Sequence, residues 1–153
     1  MPIRRLKTWV VVADGARARV LINEGPGSGL KPALDHEFVE AETHRHARDV
    51  KSDRPGRAFD TGSGQRHAME PHHDPHAWEK RQFARTVARL IDDHAGRPSF
   101  DRLILVAPPR VLGDLRVELP RRAAARVVHE LDKDLTHAPL SDIADHLRDV
   151  LKL

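Results

Sequence analysis

The sequence predicts an α/β domain built on a mixed β-sheet of about five strands with helices packed against it. Three observations carry that expectation. The short apolar run Trp9–Ala13 is followed at once by an alternating apolar and polar stretch. A long amphipathic segment lies between Asp74 and Gly96, and the continuous apolar run Leu103–Ala107 sits between two helical patterns. Strands interleaved with helices, after an opening hairpin, make a mixed sheet with helices on its faces.

Trp9–Ala13 reads as a buried strand, and Asp14-Gly15 as a two-residue hairpin turn whose central positions take positive φ. Ala16, Ala18, Val20 and Ile22 then alternate with Arg17, Arg19 and Leu21, a strand with one face partly wet. Asn23–Gly29 is a turn by composition. A third strand is expected over Leu34–Glu42, with Leu34, His36, Phe38 and Glu40 on one face. Asp74-Pro75 supplies an N-cap and a proline at the first helical position. Phe83, Val87, Leu90 and Ile91 recur at helical spacing behind it, and Gly96 and Pro98 end the helix. Leu103–Ala107 is a strand covered on both faces. Pro109–Leu119 is a short helix, Arg126–Leu135 a strand with helix-favouring Arg121–Ala125 ahead of it, and Leu140–Leu151 a closing amphipathic helix.

At 153 residues the chain is expected to form one domain, residues 1–153, with no internal repeat. No apolar run reaches the ~18 residues that a membrane-spanning helix needs. Trp9–Ala13 is cut by Asp14, too short for the core of a signal peptide, so a cytoplasmic protein is expected. The absence of cysteine excludes disulfides, thiolate nucleophiles and sulfur-ligated zinc. Net charge is only +3, and its distribution is more telling than its size.

From Thr43 to Ala77 the only sizeable apolar side chains are Val50, Phe59 and Met69, too few to form a core. Such long coreless segments tend to carry function. Between His44 and His67 six basic residues (Arg45, Arg48, Lys51, Arg54, Arg57, Arg66) stand against three aspartates. Each guanidinium suits phosphate through its bidentate fork. Arg81, Arg85 and Arg89 add a second basic row on the following helix. The plain alternative for both is a solvated surface in an arginine-rich chain, which has six lysines among 26 basic residues. Trp9 and Trp78 read as core or partner-facing aromatics.

His67, His72, His73 and His76 with Glu70 and Asp74 form the densest imidazole cluster. His72, His73 and His76 are the only metal candidates, but a histidine-rich run before a helix is more often incidental, so neither metal nor cofactor is expected. Near pH 6 these groups would add charge to a basic loop. No serine (Ser28, Ser52, Ser63, Ser99, Ser141) lies in a nucleophile elbow, and NEGPGSG lacks the lysine of a phosphate-binding loop.

TWVVVADGARARV, SDRPGRAFD, RHAMEPHHDPH, FDRLILVAPPRVLGDLR and KDLTHAPLSDIADHL together resemble the bacterial host attachment proteins, over nearly the whole chain. More distantly, the order of elements resembles the middle domain of archaeal and eukaryotic class-1 release factors and their ribosome-rescue relatives, a ribonuclease H-like fold. There a GGQ loop precedes a basic helix; here TGSGQRH precedes EKRQFARTVARL, with Ser63 interrupting the motif. That resemblance implies contact with RNA or the ribosome through Arg45, Arg48, Lys51, Arg54, Arg57, Gly62, Gly64, Gln65, Arg66, Arg81, Arg85 and Arg89, without sequence-specific DNA recognition. It also makes Gln65 a candidate catalytic residue for peptidyl-tRNA ester hydrolysis, through a backbone amide aimed at the oxyanion. With GSGQ in place of GGQ, a non-enzymatic binding role is the leading expectation. An adhesion-related interaction protein at the cell surface is the alternative.

Overall fold

Six consecutive buried residues make Thr8–Ala13 (β1) the centre of the sheet. A computed structural model describes residues 5–34, 37–39, 75–151 and 153. β1 pairs antiparallel with Arg17–Asn23 (β2) and parallel with Arg102–Val106 (β5), which in turn pairs parallel with Val127–Leu131 (β6). Lys31–Pro32 (β3) and Phe38–Val39 (β4) share the far edge of β2, so the order is β3-β2-β1-β5-β6 with β4 beside β2. This is a mixed open sheet in an α/β domain.

Alternation along β1 divides the core into two layers. Trp9, Val11 and Ala13 join Leu103, Leu105 and Ala107 on one face. There they pack beneath Pro75–Ala95 (α1), Pro109–Glu118 (α2) and Arg121–Ala124 (α3) through Phe83, Val87, Ile91, Leu112, Leu115 and Ala123. Val10, Val12, Ile104 and Val106 point the other way, onto Ile143 and Leu147 of Leu140–Leu147 (α4). The central strands are apolar on both sides because both faces are covered.

Several expectations are corrected. The strand expected at Leu34–Glu42 is not continuous: β3 ends at Pro32 and the chain bends at Ala33 and Leu34 before β4. Pro32 has no N–H to extend the ladder, and Ala33 N–H donates to Val20 O at 2.8 Å; residues 35–36 and 40–42 lie outside the described set. The Asp14-Gly15 turn does not use positive φ, which among the described glycines occurs at Gly25, Gly27 and Gly29. Instead Asp14 Oδ1 accepts the Ala16 and Arg17 N–H groups, each at 2.7 Å. The side chain closes the bend together with the backbone bond from Asp14 N–H to Arg17 O at 2.9 Å. Strand β6 is shorter than Arg126–Leu135, and Arg121–Ala124 is helical ahead of it. The last helix stops at Leu147, after which Val150 N–H bonds back to Leu147 O in a tighter turn.

An aromatic cluster packs around Trp9. Trp9 is 2% exposed, with Phe100 stacked on it and His94 tilted against it, both at centroid distances of 4.8 Å. His94 Nδ1 meets Ser99 Oγ at 3.1 Å, and burial holds its pKa below the usual histidine value. Helix α1 ends at Ala95, beside a close approach rather than a left-handed residue. A Cβ on Gly96 would come within 2.9 Å of the Arg122 guanidinium. That guanidinium grips Asp92 through Nε at 2.9 Å and Nη2 at 3.1 Å, joining α3 to the end of α1.

Phe83 is 2% exposed and fills the layer between α1 and the sheet. Phe83→Ala should destabilise the fold by about 3–5 kcal/mol, the usual cost of emptying a buried aromatic position. Urea unfolding followed by circular dichroism measures this; a loss below ~1 kcal/mol would contradict the packing described.

Candidate functional site

Strands β1, β5 and β6 run parallel, so their carboxyl ends meet at one edge of the sheet, where open α/β sheets place their ligands. A cleft of about 360 Å³ opens there. It is lined by Asp14, Gly15 and Ala16 of the β1–β2 turn, Glu79 and Lys80 of α1, Pro108, Arg110 and Val111 at the start of α2, and Asp134 beyond β6.

Asp14 organises this corner. While Oδ1 takes the turn amides, Oδ2 lies 3.0 Å from Thr136 Oγ1, and Thr136 Oγ1 is 2.7 Å from Asp134 Oδ1. Thr136 is buried, and its one hydroxyl hydrogen serves two carboxylates. The Arg19 guanidinium ties down the same loop, donating to Ala138 O at 2.7 Å and Thr136 O at 3.3 Å. Asp14 Oδ1 thus shapes the β1–β2 turn while Oδ2 holds it to the β6–α4 loop.

Gly15 explains the opposite wall. A Cβ there would meet Lys80 Cγ at 2.6 Å, Cδ at 2.7 Å and Cε at 2.8 Å. The bare glycine lets the lysine stem lie across the turn, with its exposed ammonium at the cleft. At the floor, α2 begins with Pro108 as N-cap and Pro109 in its first turn, without a side-chain cap. Its first amides have no acceptor within the helix, and Arg110 stands beside them.

Helices α1 and α2 face each other across charged side chains. Arg85 Nε donates to Glu118 Oε1 at 3.1 Å. Asp114, in the middle of α2, keeps Oδ2 buried without a hydrogen-bond partner. Burial pushes its pKa above the ordinary carboxylate value, and the nearby positive charges of Arg110, Arg81 and Lys80 offset this only in part.

The basic row expected on α1 is present and exposed at Arg81, Arg85 and Arg89. Arg85 is paired to Glu118; no ion pair forms at Lys80, Arg81, Arg89 or Arg110 among the described residues. Arg45, Arg48, Lys51, Arg54, Arg57, Gly62, Gly64, Gln65 and Arg66 lie outside the described residues, as do His72 and His73 and the side chain of His76. Among the described residues no group of three histidines or carboxylates is arranged to hold a metal ion.

Sequence reasoning missed Lys80, Arg110, Asp134 and Thr136, which only the fold brings together. It also left Trp78 undecided. Trp78 is 43% exposed, at the start of α1. Helical spacing was the available signal, since Trp78 falls on the arginine face and not on the Phe83–Val87–Ile91 face.

An α/β domain with a charged cleft at the carboxyl ends of its parallel strands is the class this geometry defines. The chain belongs to the family described as "Protein required for attachment to host cells", which matches residues 9–147. No curated protein matches the sequence. Among solved structures, the Aquifex aeolicus PPX-GPPA enzyme is similar at 16% identity and a TM-score of 0.37, over 82% of this chain. The alignment covers 36% of that enzyme, so this chain spans about a third of it. Among the described residues no helix is long and apolar enough to cross a membrane.

Two substitutions test the corner. Asp14→Ala removes the acceptor for both turn amides and one of the two acceptors of the Thr136 hydroxyl, and should cost about 2–3 kcal/mol in urea unfolding. Asp14→Asn, which keeps one carbonyl acceptor, should cost less. For Asp114 the sign follows from its raised pKa. The folded state holds the proton more tightly than the unfolded chain, so this group favours folding at low pH and opposes it once ionised. Asp114→Asn should therefore melt higher than wild type at pH 7. That advantage should shrink as pH falls through the raised folded value and vanish below the ordinary value of 3.8, where both side chains are neutral. An Asn variant that melts lower at pH 7 would overturn the assignment.

Proposed function

We propose that this host-attachment-family protein is a non-enzymatic factor that contacts RNA or the ribosome. The contact surface is the arginine-rich segment 43–77 together with the basic face of α1. One observation carries the reading. The described stems of that segment are both anchored at the Asp14–Arg17 turn: Phe38 and Val39 pair with Ala18 and Arg17, and α1 lays Lys80 over Gly15. The described residues on either side of the segment, Phe38–Val39 and Lys80 of α1, thus both lie at one corner. Lys80, Arg81 and Arg110 stand at that same corner. A polyanion held by the segment meets these cations as a continuation of its site. The likeness to release-factor middle domains supports this reading from the sequence alone.

The family description favours a second reading, an interaction partner in attachment to host cells. Cell fractionation separates the two, because protein recovered at the cell surface would favour attachment.

The leading reading predicts co-sedimentation with ribosomes at low salt. With several phosphate contacts, affinity should fall by about 10³-fold or more between 50 and 200 mM salt. Arg54→Glu, Arg57→Glu and Arg66→Glu together should abolish co-sedimentation. If the wild type stays in the supernatant at every salt concentration, the reading is lost.

A further inference from the structure

Trp78 is the large apolar side chain that the core leaves out of α1. On that helix Phe83, Ala84, Val87, Ala88 and Ile91 are buried, and the opposite stripe carries Arg81, Arg85 and Arg89. Trp78 heads this stripe, since positions 78, 81, 85 and 89 are three or four residues apart and share one face. From Trp78 to Arg89 the stripe runs about 16 Å at ~1.5 Å rise per residue. Arg85 is held by Glu118. Arg81 and Arg89 have no ion-pair partner among the described residues, so free cations flank the paired one.

Other exposed apolar side chains have a different setting. Val128 is the extra residue at the register shift of edge strand β6, and such bulges discourage further strand pairing. Val117 adjoins Arg116, whose guanidinium is occupied by Glu130. Neither combines an aromatic face with free positive charge.

An exposed indole beside free guanidinium groups matches the needs of single-stranded nucleic acid. The ring takes the face of an unpaired base, and the guanidinium groups take successive phosphates of the strand that runs on from it. Double-stranded RNA keeps its bases stacked and offers the indole nothing. We infer that Trp78 is a stacking platform for an unpaired base of RNA, with Arg81 on a phosphate beside it and Arg89 on one further along the strand. The inference rests on the RNA-contact reading above and deepens it by assigning the ligand as single-stranded.

Trp78 also provides its own reporter. Trp9, the other indole, is 2% exposed inside the core, so quenching by an added ligand reads Trp78. The experiment titrates the full chain at low salt with an unstructured pyrimidine-rich RNA 12-mer and with a blunt RNA duplex. Wild type should bind the single strand with quenching of indole fluorescence, and should bind the duplex without it. Trp78→Leu keeps apolar bulk but no π face, and should bind the single strand about tenfold more weakly. Its affinity for the duplex should not change. Trp78→Phe should bind the single strand close to wild type.

If wild type binds RNA but Trp78→Leu binds the single strand equally well, the stacking assignment is wrong and the contact reading stands. If wild type binds neither RNA, both readings fall. Equal losses of single-strand and duplex affinity in Trp78→Leu would make the tryptophan structural and overturn its role as a platform.

Discussion

The geometry of the cleft depends on the Asp14 carboxylate. It stands at the end of the central strand and adds side-chain bonds at two places, one of them beside the Asp14 N–H to Arg17 O bond that also closes the turn. One oxygen closes the β1–β2 turn, and the other meets Thr136 in the loop after β6. Charge-assisted bonds of this kind are stronger than neutral ones. They join segments more than a hundred residues apart, one leaving the centre of the sheet and one leaving its edge. Because Asp14 makes the turn, Gly15 has no conformational duty and serves as clearance for Lys80. A lysine stem, a carboxylate pair and the start of α2 therefore share one corner.

Charge along α1 is divided in a way that its sequence does not reveal. A row of arginines on an exposed helix face reads as a uniform basic stripe. Glu118 neutralises the middle of that row, Asp92 holds Arg122 at its far end, and Asp114 lies near Arg81. Exposed pairs such as Arg85–Glu118 contribute little stability, of order 0–1 kcal/mol. Their effect is to settle which guanidinium groups remain available. Among the described residues Lys80 and Arg110 keep no ion pair at the cleft, with Arg81 near them around Asp114 and Arg89 further along the helix.

The sheet was legible wherever burial alone dictates sequence. Residues Trp9–Ala13 and Leu103–Ala107 are covered on both faces and can only be apolar, so their runs read directly as strands. The start of α1 was legible because a proline at the first helical position has a local cause. Leu34–Glu42 misled because Leu34 lies in a bend beside Ala33, whose N–H bonds to Val20 O, and strand is described again only at Phe38–Val39. Asp14-Gly15 was legible as a turn but not as to its type, because an Asx bond and a positive φ favour the same dipeptide. The cleft was not legible at all. Its residues come from four separated segments, and Lys80, Arg110 and Asp134 are each ordinary surface residues until the fold brings them together.

Mixed charge at the cleft constrains how a polyanion can approach. Asp14 and Asp134 stand in its wall and would repel a phosphate driven into it, whereas Lys80 and Arg110 attract one at the same opening. With both Asp14 oxygens committed to the turn and to Thr136, that carboxylate cannot swing away without releasing the β6–α4 loop. A sugar–phosphate chain therefore meets least repulsion along the outer side of α1, crossing the cleft opening near Lys80 and Arg81 without entering it. That course passes Trp78 at the head of the helix. The carboxylates that build the corner thus also direct the proposed contact outward, onto the face of α1 where an aromatic ring and cations without an ion pair among the described residues are exposed together.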